Sequence, residues 1–258
     1  MDNAEKCTAI ILAAGRGTRM GAETEKQFLE ISGYPLLYYA LKCFDDCPLI
    51  HEIILVVPEE RITYCRTEIV AKYGIKKVTV ITAGGKERYE SVMRGLALCG
   101  DSAYIIIHDG ARPLVTEDVI RRVLQSAEQY GSGIAGVLSK DTIRLTGENG
   151  LSESTPPRDR AWMVQTPQAF RAELIRRAYD ALREAEEGKT AESHSGSRDL
   201  VSEKAPRTQI TDDGMVVEIM LNTPVRMVQG DYANVKVTTP EDVPLTAALL
   251  ERDRGAEQ

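Results

Sequence analysis

The sequence predicts an α/β fold in which a mostly parallel sheet carries helices on both faces and a β-hairpin arm projects from it. Three observations lead there. Between residues 8 and 138, short apolar runs alternate with stretches of helical periodicity, the signature of right-handed βαβ units. Glycine and charge gather in the loops that follow three of those runs, at the strand ends where such sheets bind ligands. From 139 to 163 the pattern changes to two short extended stretches around Gly147-Glu148-Asn149-Gly150, which read as a hairpin rather than a sheet crossover.

Taken in order, Thr8-Ala9-Ile10-Ile11-Leu12 is a buried first strand, and Pro35 to Phe44 has apolar residues at helical spacing behind a first-turn proline. Glu52 to Val57 is a β-branched run stopped by Pro58, and residues 59–73 form a second helix candidate ending at Gly74. Lys77 to Ile81 and Tyr104 to Ile107 are further strands. Thr116-Glu117-Asp118 opens a helix through about Tyr130, and Gly133 to Leu138 is another strand. Gln165-Thr166-Pro167-Gln168-Ala169-Phe170 leads into a helix from Arg171 to about Glu187. Residues 188–209 are so poor in core-forming side chains that they read as a mobile loop, with His194 a solvated residue inside it. Thr211-Asp212-Asp213 caps a helix through Met220. The chain closes with strands at 225–229 and 234–237, and a helix entered through Thr239-Pro240-Glu241-Asp242. The resulting arrangement is Rossmann-like.

The loop after the first strand, Ala13-Ala14-Gly15-Arg16-Gly17-Thr18-Arg19-Met20-Gly21 with Lys26-Gln27 beyond it, suits a polyphosphate. Its small residues let backbone N–H groups approach a ligand, and Arg19 and Lys26 add cations. It fails the G-x-G-x-x-G fingerprint because Met20 stands where the third glycine belongs. It fails the Walker pattern because no lysine follows Gly21 until Lys26. Two further loops leave strand ends: Ala83 to Val92, holding Gly85, Arg88 and Ser91, and His108-Asp109-Gly110-Ala111-Arg112-Pro113. Singly, each is as well explained by a turn or a surface salt bridge; at successive strand ends they point to one site.

The 258 residues suffice for one large domain, and hydrophobic and charged fractions of 43% and 28% are ordinary for a globular chain. The net charge of -7 speaks against general nucleic-acid binding, so an anionic substrate needs a local group of cations. No apolar run approaches the ~18 residues of a membrane span. The acidic N-terminus is unlike a signal peptide, so a cytoplasmic location is expected. Cys7, Cys43, Cys47, Cys65 and Cys99 form no C-x-x-C pair and read as small core residues.

No Ser/His/Asp triad, H-E-x-x-H or paired-cysteine set can be assembled. Glycine loops together with Arg19, Lys26, Asp109, Arg158 and Lys236 suit attack on a nucleoside triphosphate, where cations and Mg²⁺ offset charge on the α-phosphate and departing pyrophosphate. A phosphate-monoester nucleophile, with a second pKa near ~6, needs no general base at neutral pH. The projecting arm cannot bury itself alone, which makes a partner subunit the natural expectation.

The ordered set resembles the 2-C-methyl-D-erythritol 4-phosphate cytidylyltransferases over nearly the whole chain. It comprises Ala13 to Met20 with Lys26-Gln27, Gly84-Gly85-Lys86-Glu87-Arg88 with Ser91-Val92, His108 to Pro113, Gln165 to Gln168, Thr211-Asp212-Asp213, and Lys236 to Asp242. The resemblance implies one nucleotidyltransferase domain over 1–258. Its reaction would take CTP and the sugar-alcohol phosphate to 4-diphosphocytidyl-2-C-methyl-D-erythritol and pyrophosphate, in the non-mevalonate isoprenoid pathway. It assigns Arg19 and Lys26 to transition-state stabilisation, and Arg158 and Lys236 to positioning the substrate phosphate. Arg160 competes with Arg158 for its role. Ala13, Ala14, Gly15, Gly85, Ser91 and Gly110 would frame the nucleotide, Asp109 would face the ribose or Mg²⁺, and Arg112 and Thr142 would meet the substrate. It also implies a homodimer whose swapped arms bring Thr142 and Arg158 to the neighbour's site. Gly110, where the family usually has Ala, is expected to loosen its loop, and the 188–209 segment is longer than the family's usual link. Ribitol 5-phosphate cytidylyltransferase shares the motifs and is the alternative; a catalytically dead nucleotide-binding module is the reading from another class.

Overall fold

The computed structural model describes residues 5–15, 26–192 and 210–256. Its centre is a seven-stranded sheet built from β1 (Cys7–Leu12), β4 (Glu52–Val57), β5 (Val78–Ala83), β6 (Tyr104–Asp109), β7 (Ser132–Leu138), β10 (Trp162–Arg171) and β11 (Met227–Gln229). The strand order is β11-β7-β10-β6-β1-β4-β5. β1, β4, β5 and β6 pair in parallel, as do β7 and β11, while β10 runs antiparallel to both its neighbours. A short β2 (Glu30–Ile31) and β3 (Tyr34–Pro35) form a separate two-stranded piece.

The chain grows from β1 through β4 to β5 on one side, then returns to place β6 on β1's other flank. That reversal opens a crevice at the C-terminal end of β1, the position where doubly wound sheets hold ligands. β1 is buried along its whole length, which is why its sequence shows no polar alternation. Ala9 and Ile11 pack on one face with α1 (Leu36–Asp46), the helical segment Ile62–Ala71 and α4 (Glu117–Tyr130). Ile10 and Leu12 pack on the other with α3 (Arg88–Leu96), α5 (Ala172–Glu192) and α6 (Asp213–Leu221). Helices therefore cover both faces.

Several boundaries follow local chemistry closely. Thr116 caps α4 by accepting from Val119 N, and Gly131, at φ 88, ends it in the left-handed conformation glycine adopts freely. Asp212 caps α6 in the same way, from Met215 N. Four expectations are corrected. Gln165 to Phe170 does lead into the helix, but as part of β10, where a register shift between Val164 and Gln168 hides the two-residue period; Trp162 and Met163 belong to that strand rather than the arm. The hairpin itself is β8 (Leu145–Thr146) with β9 (Ser152–Ser154), separate from the main sheet. Asn234 to Val237 joins no ladder and runs as an irregular segment, tied by Val237 N to Ala111 O. α5 continues to Glu192, so residues 188–192 are helical, while the rest of the expected loop, with His194, lies outside the described residues. The 59–73 candidate is helical but broken, passing from a 3-10 turn (Glu59–Arg61) through α2 (Ile62–Tyr64) to a π-helical stretch (Cys65–Ala71). The chain closes in α7 (Asp242–Ala256), whose Asp242 carboxylate accepts from the backbone of Thr238 and Thr239. No helix among the described residues is long and apolar enough to cross a membrane.

Candidate active site

The three glycine-bearing loops are stitched together just beyond the strands. Ala13 N donates to Val56 O at 2.7 Å, Gly84 N to Val57 O at 2.8 Å, and Gly110 N to Leu12 O at 2.8 Å. Each loop thereby continues its ladder by one bond before turning away, which fixes the spacing between them. Buried Gln27 adds a clamp, its Nε2 donating to Ala13 O at 2.6 Å and Gly15 O at 3.0 Å. Glycine is required at 84: a Cβ there would stand 2.3 Å from Ala14 Cβ and 2.8 Å from Ser91 Oγ. Ser91 Oγ in turn accepts from Gly85 N at 3.0 Å and donates to Glu87 O at 3.3 Å, so it braces the second loop.

These loops frame a pocket of about 210 Å³, open to solvent, lined by Ala13, Ala14, Gly15, Gly85, Ser91, Asp109 and Lys236 among others. Gly110, between the lining residues Asp109 and Ala111, does not itself line the pocket; a Cβ there would stand 2.8 Å from Cδ1 of Leu37, a buried leucine of α1.

The floor is a chain of charges. Arg88 forms a bidentate fork onto Asp213, with Nη1–Oδ1 at 2.8 Å and Nη2–Oδ2 at 2.7 Å, and its Nε reaches Asp109 Oδ1 at 3.3 Å. Lys236 Nζ donates to Asp109 Oδ2 at 2.6 Å, and the Tyr179 hydroxyl to Asp213 Oδ1 at 2.6 Å. Burial alone would raise the Asp109 pKa, but Arg88 and Lys236 override it and hold the carboxyl far below its usual range. Asp109 is thus a permanent anion with each oxygen already facing a cation. Sequence reasoning missed Arg88 and Asp213 as site residues: both sit inside recognised motifs, but nothing along the chain pairs groups 125 residues apart. Gln27 was visible beside Lys26; Tyr179 carried no signal.

Arg112 lies one step away, in an adjoining cavity that shares Arg88, Asp109 and Lys236 with the first and adds Thr166, Gln168 and Asp212. Its Nη1 donates to Asn234 O at 2.8 Å. Beneath it, Arg112 O can only accept, so His108 Nε2 carries the proton and donates to it at 3.2 Å. Nδ1 of the neutral ring is left to accept from Thr166 Oγ1, 3.1 Å away, which itself accepts from Asp109 N at 3.0 Å. Burial lowers the His108 pKa from 6.5 to about 4. As pH falls below 6.5 the unfolded chain takes a proton that the folded chain refuses, so stability drops until pH reaches about 4, by roughly 3 kcal/mol in all. Urea denaturation across that interval should show the slope, and His108→Gln should flatten it.

The remaining candidates are placed differently. Thr142 and Arg158 are exposed and line neither cavity; Arg158 Nη1 donates to Lys140 O at 3.3 Å, and Arg160, equally exposed, lines neither. Arg19 lies outside the described residues. Lys26 opens a 3-10 turn, Lys26–Phe28, and its side chain is outside them too. The cysteines are free, and burial pushes the Cys7, Cys43 and Cys99 thiols up to about 12, as suits unreactive core residues. Among the described residues no cluster of three or more His, Cys, Asp or Glu could hold a metal alone. Mg²⁺ binds through one or two carboxylates plus substrate phosphates, and of the carboxylates lining the pocket, Asp109 and Glu87, Asp109 keeps spare lone pairs for such a role.

Comparison with known proteins agrees with this geometry. Residues 7–195 match the family model described as IspD, 2-C-methyl-D-erythritol 4-phosphate cytidylyltransferase. A protein of that name from Lachnoclostridium phytofermentans is 42% identical over 95% of this chain and 97% of its own. One from Geobacter metallireducens is 41% identical over 94% and 96%. Among solved structures, a 4-diphosphocytidyl-2C-methyl-D-erythritol synthase from Anaerococcus prevotii superposes with a TM-score of 0.76 at 28% identity, covering 96% of this chain and all of its own. The Thermus thermophilus cytidylyltransferase gives 0.66 at 27%, covering 95% and 98%. With pocket, loops and relatives in agreement along almost its full length, the chain belongs to the 2-C-methyl-D-erythritol 4-phosphate cytidylyltransferase family.

Proposed function

We infer that the chain transfers CMP from CTP to 2-C-methyl-D-erythritol 4-phosphate, releasing pyrophosphate. The observation that carries the reading is the Arg88–Asp109–Lys236 floor beneath three backbone-stitched loops at the sheet's switch point. Small residues at 13–15 and 85 leave backbone N–H groups open to the nucleotide, and Lys236, pinned by Asp109, presents an ammonium where a phosphate nucleophile can be held. An oxygen of the sugar phosphate, ionised at neutral pH, attacks the α-phosphorus. The new P–O bond forms as the bond to the bridging β-oxygen breaks, and its electron pair leaves with pyrophosphate. No proton has to be removed from the nucleophile, and no side chain in the described pocket is placed as a base for one. Asp109 would hold Mg²⁺ together with the phosphates of CTP; the ion supplies charge neutralisation on the triphosphate. Arg19 and Lys26, from the loop after β1, would add charge where the leaving group builds up. Pyrophosphate release from CTP with this sugar phosphate, compared with ribitol 5-phosphate, tests the reading.

The substrate-facing residues Thr142 and Arg158 would serve a neighbouring copy through arm exchange. What supports this is an arm whose Leu145, on β8, and Leu151, just before β9, are 54% and 68% exposed, and whose two strands pair with nothing in their own chain's main sheet. Deleting residues 141–160 should convert a dimer to a monomer in sedimentation and abolish turnover; a dimer with normal turnover would remove the arm from both roles. The free cysteines fit a cytoplasmic location.

A further inference from the structure

Tyr179 lies on α5, is 3% exposed and does not line the nucleotide pocket. Its ring packs in the apolar cluster that contains Leu182, Val216 and Val217, where a phenyl group would serve equally well. The hydroxyl is therefore superfluous to packing, yet it is placed 2.6 Å from Asp213 Oδ1. Asp213 is itself fully buried and held from several sides: Gln168 Oε1 of β10 accepts from its backbone N at 3.1 Å, and Arg88 grips both carboxylate oxygens. The torsion that turns a carboxylate about its last bond is soft. Two donors on Oδ1 and one on Oδ2 lock it; without the phenol the carboxylate is free to tilt, and a planar guanidinium bound by both oxygens tilts with it. The next link, Arg88 Nε to Asp109 Oδ1, is already 3.3 Å long, so a shift of a few tenths of an ångström takes it out of hydrogen-bonding range.

We propose that Tyr179 is a positioning residue for cytidylyl transfer: its hydroxyl fixes Asp213, which aims Arg88, which holds Asp109 and with it Lys236 in place before the substrates arrive. This rests on the function inferred above. Burial and the adjacent Asp213 carboxylate raise the phenol's pKa well above its ordinary value, so Tyr179 remains a donor throughout the working pH range.

The test is a double-mutant cycle on the full-length protein, read as kcat at saturating CTP and methylerythritol phosphate, well below the melting temperature. Tyr179→Phe should lower kcat about tenfold, whereas in an Asp109→Asn background the same change should alter kcat less than about twofold, because the link it acts through is gone. Leu182→Val, in the same cluster without a polar contact, should lower Tm while leaving kcat unchanged. An unchanged kcat for Tyr179→Phe, or an equal loss in both backgrounds, would overturn the proposal. If the wild type released no pyrophosphate from either sugar phosphate, the functional reading would fall. The same cycle would then be read in the Kd for CTP and Mg²⁺ by calorimetry, with coupling between Tyr179 and Asp109 expected and additivity contradicting it.

Discussion

Arg88→Met should lower the unfolding free energy by about 3–5 kcal/mol, the effect expected when one partner of a buried ion pair is removed. Asp213 has no exposed surface, and its carboxylate would keep only the Tyr179 hydroxyl among the three side-chain donors that now hold it. Asp109 would lose one of its two cations at the same time. The loss is therefore the desolvation of an uncompensated charge, larger than any single contact between Arg88 and its partners. Adding Asp213→Asn to Arg88→Met should recover part of the loss, since an amide can be buried without charge and can still accept from Tyr179. Chemical denaturation of the single and double variants measures both. Similar stabilities for the two would mean that the Asp213 carboxylate escapes to solvent on losing Arg88.

Arg19→Ala and Lys26→Ala should each reduce kcat about 100- to 1000-fold while the affinity for CTP changes far less. The described part of the pocket supplies the reason. Arg88 and Lys236 are already matched by Asp109 in the pocket and Asp213 buried behind it, so the charge these two cations could offer a ligand is largely offset. Negative charge that develops on the departing pyrophosphate has to be met from elsewhere, and the loop between β1 and Gln27 carries Arg19 and Lys26. Steady-state kcat together with CTP binding separates the two effects. A variant that lost affinity in proportion to turnover would mean that these side chains bind the ground state.

Much of this was legible in the sequence because the central strands are buried on both faces. Residues such as Ile10, Ile54 and Ile106 sit in unbroken apolar runs, and the loops after those runs hold the glycines that let Ala14, Gly84 and Ser91 crowd together. β10 was missed because its bulge and Pro167 break the alternation that marks a strand. Asn234 to Val237 looked like a strand from its sequence alone, yet it pairs in no ladder; Val237 N ties it to Ala111 O, and the neighbouring Lys236 reaches Asp109. The deeper layer of the site was invisible for a different reason. Arg88 meets Asp213, and Gln168 meets Asp212, across 125 and 44 residues, and such pairings are set by how α3, α6 and β10 converge rather than by any local pattern. Gly110 shows the converse: a Cβ there would stand 2.8 Å from Leu37 Cδ1, a contact that only the packed helix reveals.

The central claim is that this pocket joins CTP to a methylerythritol phosphate. It is tested most directly by measuring pyrophosphate release with CTP and Mg²⁺ in the presence of 2-C-methyl-D-erythritol 4-phosphate or ribitol 5-phosphate. Turnover with the former that exceeds the latter by at least about tenfold in kcat/KM, a difference of roughly 1.4 kcal/mol in transition-state binding, is the predicted result. Equal turnover, a preference for ribitol 5-phosphate, or no release with either would contradict it.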